Sequence, residues 1–316
     1  MPAASPGSDH DGSQRRRFGF TLARAVWTRL ARGDADDGKQ IPVNEPPAPS
    51  VQFLAAPRVM HAMAEFGRGR VRELTVARIV VLALLGGGFI TMGALFSALA
   101  GSGIEAVGTR RLVEGFAFST GFFFVVLSEA VLFTEANVVL PTALLSDRRL
   151  WPRVLRFWAL AWLGNLGGAW LLGNLVALAQ PSSAGVLASL TPMVEGKLTF
   201  TRLGGAASWW QLVLSGVLAN WLVGMAAFFA FMGRTIIGRY VPVLLAVMLF
   251  VAAGLQHSPA NMGLFSLFIA HGGDLDWPTA LAGNIVPVGI GNMLGAAVLV
   301  ALPYWFVFER PARMAS

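Results

Sequence analysis

The stretch Phe250-Val-Ala-Ala-Gly-Leu-Gln-His-Ser-Pro-Ala-Asn-Met262 lies inside an apolar run, Val241 to Ala270, in which His257 is the only titratable side chain. At ~1.5 Å rise per residue, a straight helix of that length reaches ~45 Å, well beyond the ~30 Å hydrocarbon core of a bilayer. The run must therefore break. The cluster Gln256-His-Ser-Pro259 is the place, because proline removes a backbone donor and polar side chains satisfy the groups that a break frees. Irregular backbone at membrane depth is tolerated only when it is buried in protein or lines a polar path. An ionisable residue there marks a functional site.

The rest of the chain supports a membrane setting. Of its 316 residues 55% are hydrophobic and only 13% charged, and apolar runs of membrane-spanning length recur, so an all-α integral membrane protein is expected. The absence of cysteine excludes disulfides, thiolate metal sites and a cysteine nucleophile. The net charge of +7 does not point to nucleic acid, because the basic residues gather in the N-terminal tail and at span ends. No spaced His/Asp/Glu cluster and no assembled Ser-His-Asp set is present, so neither a metal, a cofactor nor an enzyme is expected.

Residues 1–50 are polar, with Arg15-Arg16-Arg17 and Asp34-Ala-Asp-Asp37, and read as a disordered cytoplasmic tail without a cleavable signal. Residues 51–76 mix apolar and basic side chains and read as an interfacial helix or a plain linker. The membrane domain then covers 77–308, and 309–316 form a cytoplasmic C-terminus. Within it the first span is Ala77 to Ala100. The second, Leu112 to Leu145, is too long for one crossing and is interrupted at Glu129-Ala-Val-Leu-Phe-Thr-Glu-Ala-Asn137. A third runs from Val154 to Ala179, and a loop is expected from Gln180 to Gly205. The fourth is Ala206 to Met232, the fifth is the broken run around His257, and the sixth is Ile285 to Phe308. Arg148, Arg149, Arg153, Arg156, Arg234, Arg239, Arg310 and Arg313 lie on the side shared by both ends, which places the termini in the cytoplasm of a multi-pass protein of the cytoplasmic (inner) membrane.

The two halves of this domain resemble each other. Gly164-Asn-Leu-Gly-Gly-Ala169 in the third span returns as Gly291-Asn-Met-Leu-Gly-Ala296 in the sixth, 127 residues later, and Thr134 and His257 are 123 apart. Interrupted hydrophobic segments at matching positions of two halves point to a transport site. Three crossings per half is an odd number, so the second half is expected upside down. Both breaks then meet near the midplane, and helices starting there aim their positive ends at one point, where an anion is favoured. The bland alternative is a close-packing Gly-Asn-x-x-Gly motif repeated by chance.

Taken in order, Leu132-Phe133-Thr134, Gly216-Val-Leu-Ala-Asn-Trp-Leu-Val223, Gln256-His-Ser-Pro-Ala-Asn-Met262 and Asn284-Ile-Val-Pro-Val-Gly-Ile-Gly-Asn292 resemble the formate/nitrite transporter family over roughly Val51 to Phe308. The resemblance implies an aquaporin-like fold and a homopentamer with one pore per protomer, moving small monovalent anions such as formate, nitrite, hydrosulfide or lactate. It implies that His257 is the central pore histidine, with Thr134 facing it and Asn220 beside it. Phe118, Phe122 and Phe250 align with apolar constrictions, and Leu132 and Phe133 fall in the loop of the first break. Three departures stand out. Gln256 occupies a position usually held by Glu, Glu129 and Glu135 flank Leu-Phe-Thr where small or neutral residues are usual, and Lys197, the counterpart of a vestibule lysine, lies further than usual from Asn220.

A small anion crossing an apolar constriction pays a large desolvation cost, and the neutral acid pays far less. An imidazole, with an ordinary pKa of ~6.5, can exchange a proton with it. The partners expected are thus a small anion, a proton and the lipid bilayer, with transport dependent on pH through His257. Each residue also has an ordinary reading: a structural histidine, packing phenylalanines, an asparagine that bridges helices, a lysine solvated in a loop, and Glu129 in a structural ion pair. The rival function is an aquaporin-like channel for a neutral solute such as water or ammonia. A histidine with no Arg in either break leans away from water channels, and a single intramembrane histidine leans away from ammonia pores.

Overall fold

The computed structural model describes residues 53–179 and 183–309, and the expected N-terminal tail and the last basic residues, Arg310 and Arg313, lie outside them. Ten helices make up the described chain: α1 (Ala56–Glu73), α2 (Val76–Gly101), α3 (Val107–Ser128), α4 (Phe133–Ser146), α5 (Trp151–Ala179), α6 (Ser183–Leu203), α7 (Gly205–Met232), α8 (Ile236–Ala252), α9 (Ser258–Ala270) and α10 (Trp277–Phe308). A single antiparallel bridge, Phe53 to Gly233, is the only β pairing among the described residues. Helices α2, α3, α5, α7 and α10 are long and apolar enough to cross a bilayer. Helices α4, α8 and α9 have 14, 17 and 13 residues, fewer than the ~20 a crossing needs.

Most helix limits fall within a few residues of the expected spans, and two regions differ. The segment expected as a loop is helical from Ser183 to Leu203. Its buried residues Val186, Leu190, Val194 and Leu198 recur every fourth position, a helical stripe that the polar residues and Pro192 between them disguise. The last helix also begins earlier than Ile285, at Trp277, where Asp276 Oδ1 accepts from Thr279 N at 2.8 Å and Pro278 occupies the first turn. It stays continuous through two wide turns, Leu281–Ile285 and Ala297–Ala301.

The same packing is used twice. Helix α2 crosses α5, and α7 crosses α10, as the two most extensive helix pairs. A Cβ on Gly168 of α5 would stand 2.0 Å from Leu84 O, and one on Gly295 of α10 would stand 2.1 Å from Val217 O. Only glycine permits backbones that close. Two apolar clusters fill the interior: one gathers Phe118, Phe122, Phe250 and Phe265, the other Met63, Phe133, Val139, Phe157 and Phe228. Helix α1 lays Val59, Met60, Met63 and Val71 onto the second cluster. Large apolar side chains stay exposed on the outer faces, among them Leu85, Leu163, Trp170, Trp210 and Leu214, a surface that suits lipid or neighbouring subunits.

Candidate functional site

The site is built where α4 and α9 begin. Helix α3 ends at Glu129, which adopts left-handed backbone (φ 56°). The Arg70 guanidinium of α1 donates to its carbonyl at 2.8 Å, a cation at a helix C-terminus. Four residues on, α4 starts at Phe133 with no cap from its own Leu132. Asn165 of α5 takes that role from outside. Its Oδ1 accepts from Phe133 N at 2.8 Å, and its Nδ2 donates to Val131 O at 2.9 Å and Ala83 O at 2.8 Å.

The second connection repeats this arrangement. Helix α8 ends at Ala252 and α9 starts at Ser258. Asn292 of α10 accepts from Ser258 N at 2.8 Å and donates to Gln256 O at 3.2 Å and Gly216 O at 2.9 Å. Both asparagines belong to the repeated Gly-Asn-x-x-Gly motif, and each ties one helix start, one connection and one long helix together. Sequence reasoning singled out the motif as a repeat and missed its chemistry. The signal was present, since the motif spacing of 127 residues lies within four of the 123 between the two breaks.

These clamps bring Thr134, in the first turn of α4, against His257, the residue that caps α9. His257 Nε2 and Thr134 Oγ1 are 2.9 Å apart, and both residues are fully buried. His257 Nδ1 accepts from Ala260 N at 3.3 Å. A neutral imidazole that accepts at Nδ1 carries its proton on Nε2, so Thr134 Oγ1 receives that hydrogen bond. The Phe250 ring stacks tilted on His257 with centroids 5.2 Å apart, and Phe118 meets Phe250 edge-on at 5.8 Å. Phe122 and Leu132 pack in the same apolar cluster. Phe133 does not: it belongs to the other cluster, with Val131, Val139 and Phe157.

Asn220 sits beside the pair but its described bonds do not reach the ring. Its Nδ2 donates to Thr134 O at 3.3 Å and to Asn292 O at 2.7 Å, so it positions Thr134 and braces α4 against α10. Lys197 is not a solvated loop charge. It lies on α6 at 9% exposure, with Nζ donating to Leu255 O just before the second connection. Burial pulls its amine down to about 8, the Glu114 carboxylate works against that, and Arg111 adds to it. The Lys197 carbonyl accepts from Gln256 Nε2 at 3.2 Å and from Asn284 Nδ2 at 3.0 Å. Gln256 Oε1 in turn accepts from Asn261 Nδ2 at 2.7 Å. An amide suits position 256 because it donates to a carbonyl; a carboxylate there would oppose it. Glu129 and Glu135 both act electrostatically on Arg70, whose guanidinium also lies 4.7 Å over the Phe66 ring.

A model of the formate/nitrite transporter family matches residues 57–306. The chain is 30% identical over 246 residues to a probable formate transporter of Methanothermobacter thermautotrophicus, covering 74% of this chain and 89% of that protein. It is 29% identical over 256 residues to the formate channel FocA of Escherichia coli (strain K12), covering 72% and 86%. To the nitrite transporter NirC of Salmonella typhimurium it is 28% identical over 242 residues, covering 71% and 86%. Among solved structures, a chain described as an FNT family ion channel superposes with a TM-score of 0.68 at 23% identity, covering 80% of this chain and 98% of that one. A pentameric formate channel with formate bound gives 0.62 at 23% identity, covering 74% and 98%.

Proposed function

The chain belongs to the formate/nitrite transporter family, and on that premise we propose that it conducts a small weak-acid anion, formate or nitrite being the first candidates, through one pore per protomer in a homopentamer of the inner membrane. Helices α3 with α4 and α8 with α9 act as two broken crossings. With α2, α5, α7 and α10 they complete six crossings in two inverted halves, both termini lying in the cytoplasm. The matching asparagine clamps at Asn165 and Asn292 support that arrangement, and the pentameric formate channel among the structural neighbours supports the assembly.

The observation that carries the reading is the His257–Thr134 contact at 2.9 Å, formed where two helices begin and covered by Phe250. An anion entering from the α6 side passes the Lys197 ammonium and meets the N-terminal ends of α4 and α9, which favour negative charge. Protonating His257 puts a hydrogen on Nδ1, ends its acceptance from Ala260 N, and sets a cation at the positive end of α9. An anion at Nε2 offsets that charge, so proton and anion are stable at the site together. The imidazolium then gives its Nε2 proton to the anion, which leaves the remaining hydrogen on Nδ1. The ring returns to its resting tautomer when that hydrogen is exchanged for one on Nε2 and Nδ1 again accepts from Ala260 N. The neutral acid crosses the Phe118 and Phe250 rings at far lower desolvation cost, and a neutral imidazole remains.

Flux of formate and nitrite into proteoliposomes, followed as internal pH is varied, tests this. Uptake that rises with an inward proton gradient and is lost in His257→Ala is the expected result. A His257→Ala protein with unchanged flux and unchanged pH response refutes the relay, and water or ammonia flux without anion flux favours the neutral-solute channel.

A further inference from the structure

We propose that Asn137 is a binding station for the neutral carboxylic acid, one helical turn beyond the Thr134–His257 pair. Asn137 is fully buried, and among the described residues neither its Oδ1 nor its Nδ2 has a hydrogen-bond partner. Every other buried amide side chain of the site is tied: Asn165, Asn220, Asn261, Asn284 and Asn292 all donate to protein groups, as does Gln256. Asn137 cannot turn to bulk solvent either, because α4 is enclosed by α1, α5, α7 and α10. A buried amide with both ends unpaired is a net cost to the fold, which a ligand that pairs with both ends would repay.

Its placement says which ligand. On α4 it follows Thr134 by three residues, which puts both on one helix face about 4.5 Å apart along the axis. Asn220, bonded to the carbonyl of that same Thr134, keeps its own Oδ1 buried and unpaired. A carboxylate only accepts hydrogen bonds, so these amide oxygens repel it. A carboxylic acid presents one O–H and one C=O side by side, and a primary amide answers with one C=O and one N–H in the same spacing. The station therefore favours the species that leaves His257 after proton transfer over the anion that arrives. This rests on the transport reading above and names the form of substrate that the inner part of the conduit holds.

The test uses the full chain in proteoliposomes, with formate as the probe, comparing Asn137→Val with Asn137→Thr. The two replacements share shape and β-branching and differ by one hydroxyl. The valine protein is expected to assemble with a thermal midpoint equal to or above the parent while formate flux falls about tenfold, because a conduit built to hydrogen-bond its substrate discriminates against losing the partner. The threonine protein is expected to recover part of that flux. Formate flux within about twofold of the parent, an equal loss in both variants, or a lowered midpoint in valine that threonine restores would each overturn the proposal, the last by making the amide structural. A parent protein that carries no formate removes the transport reading itself, a result distinct from any of these.

Discussion

Removing the Asn292 clamp has a cost that follows from its bonds. Truncation to alanine takes the partner from Ser258 N, Ser258 Oγ, Gly216 O and Gln256 O. Gly216 O lies inside helix α7 and keeps its ladder bond, so its loss is small. Ser258 N is the heavier loss, because the first turn of α9 has no other donor or acceptor outside the His257 cap, and a buried unpaired donor costs ~1–3 kcal/mol. Interhelical hydrogen bonds in membrane proteins measure lower, averaging ~0.6 and reaching ~1.7 kcal/mol. Three affected groups at these values sum to roughly 2–4 kcal/mol. Asn165→Ala removes the corresponding bonds from Phe133 N, Val131 O and the in-helix Ala83 O, with no counterpart of Ser258 Oγ, and should cost less by up to ~1 kcal/mol. Asn174, half-buried and with its side chain bonded among the described residues to Trp170 O one turn away, is the control and should shift by under ~0.5 kcal/mol. Unfolding of the purified protein in mixed micelles of increasing denaturing detergent, followed by far-UV circular dichroism, reads all three. The clamp argument fails if Asn292→Ala is no more destabilising than Asn174→Ala.

Three further outcomes follow from the geometry. His257→Gln keeps a polar group near Thr134 but cannot carry a cation, so anion flux should persist weakly and no longer rise with an inward proton gradient, keeping only the fall near pH 8 that Lys197 imposes; a retained response to the gradient would assign the proton to another group. Lys197, whose amine is pulled to about 8, is charged below that value and neutral above it. Anion entry should therefore weaken as the external pH rises through about 8, and Lys197→Gln should give low, flat flux across that window, with Glu114 and Arg111 as the charges facing it; an unchanged slope would exclude the lysine as the anion's first contact. Gly295→Ala forces a Cβ to 2.1 Å from Val217 O and should destabilise by more than ~1 kcal/mol, whereas Gly196→Ala in α6, with nothing within 4 Å, should gain up to ~1 kcal/mol from helix propensity; detergent-resolved melting curves of opposite sign check the pair.

The contrast between what the residues announced and what they concealed has a physical cause. Long apolar runs report their own helices, because membrane insertion is decided by a local sum over about 20 side chains, and α2, α5 and α7 begin and end close to where that sum places them. The approach of the two breaks was legible because their spacing of 123 residues nearly equals the 127 of the repeated motif, whereas the pairing of Thr134 with His257 was what the family resemblance implied. Helix α6 was hidden because its buried apolar residues come only one in four, so composition averaged over the segment looked like loop. Lys197 was hidden with it: burial of an amine depends on neighbours from α3 and from the second connection, which no local window contains. The roles of Asn165 and Asn292 are the hardest case. Helix capping is usually a local transaction between the cap and the next three residues, and here Phe133 N and Ser258 N are each held by an asparagine of another helix, with the His257 ring adding a local cap on Ala260 N. A cap supplied from a distance fixes where a helix begins without asking a polar side chain of the residue before the start. Leu132 is thereby free to be apolar, whereas His257 keeps a local cap on Ala260 N beside the proton role proposed for it.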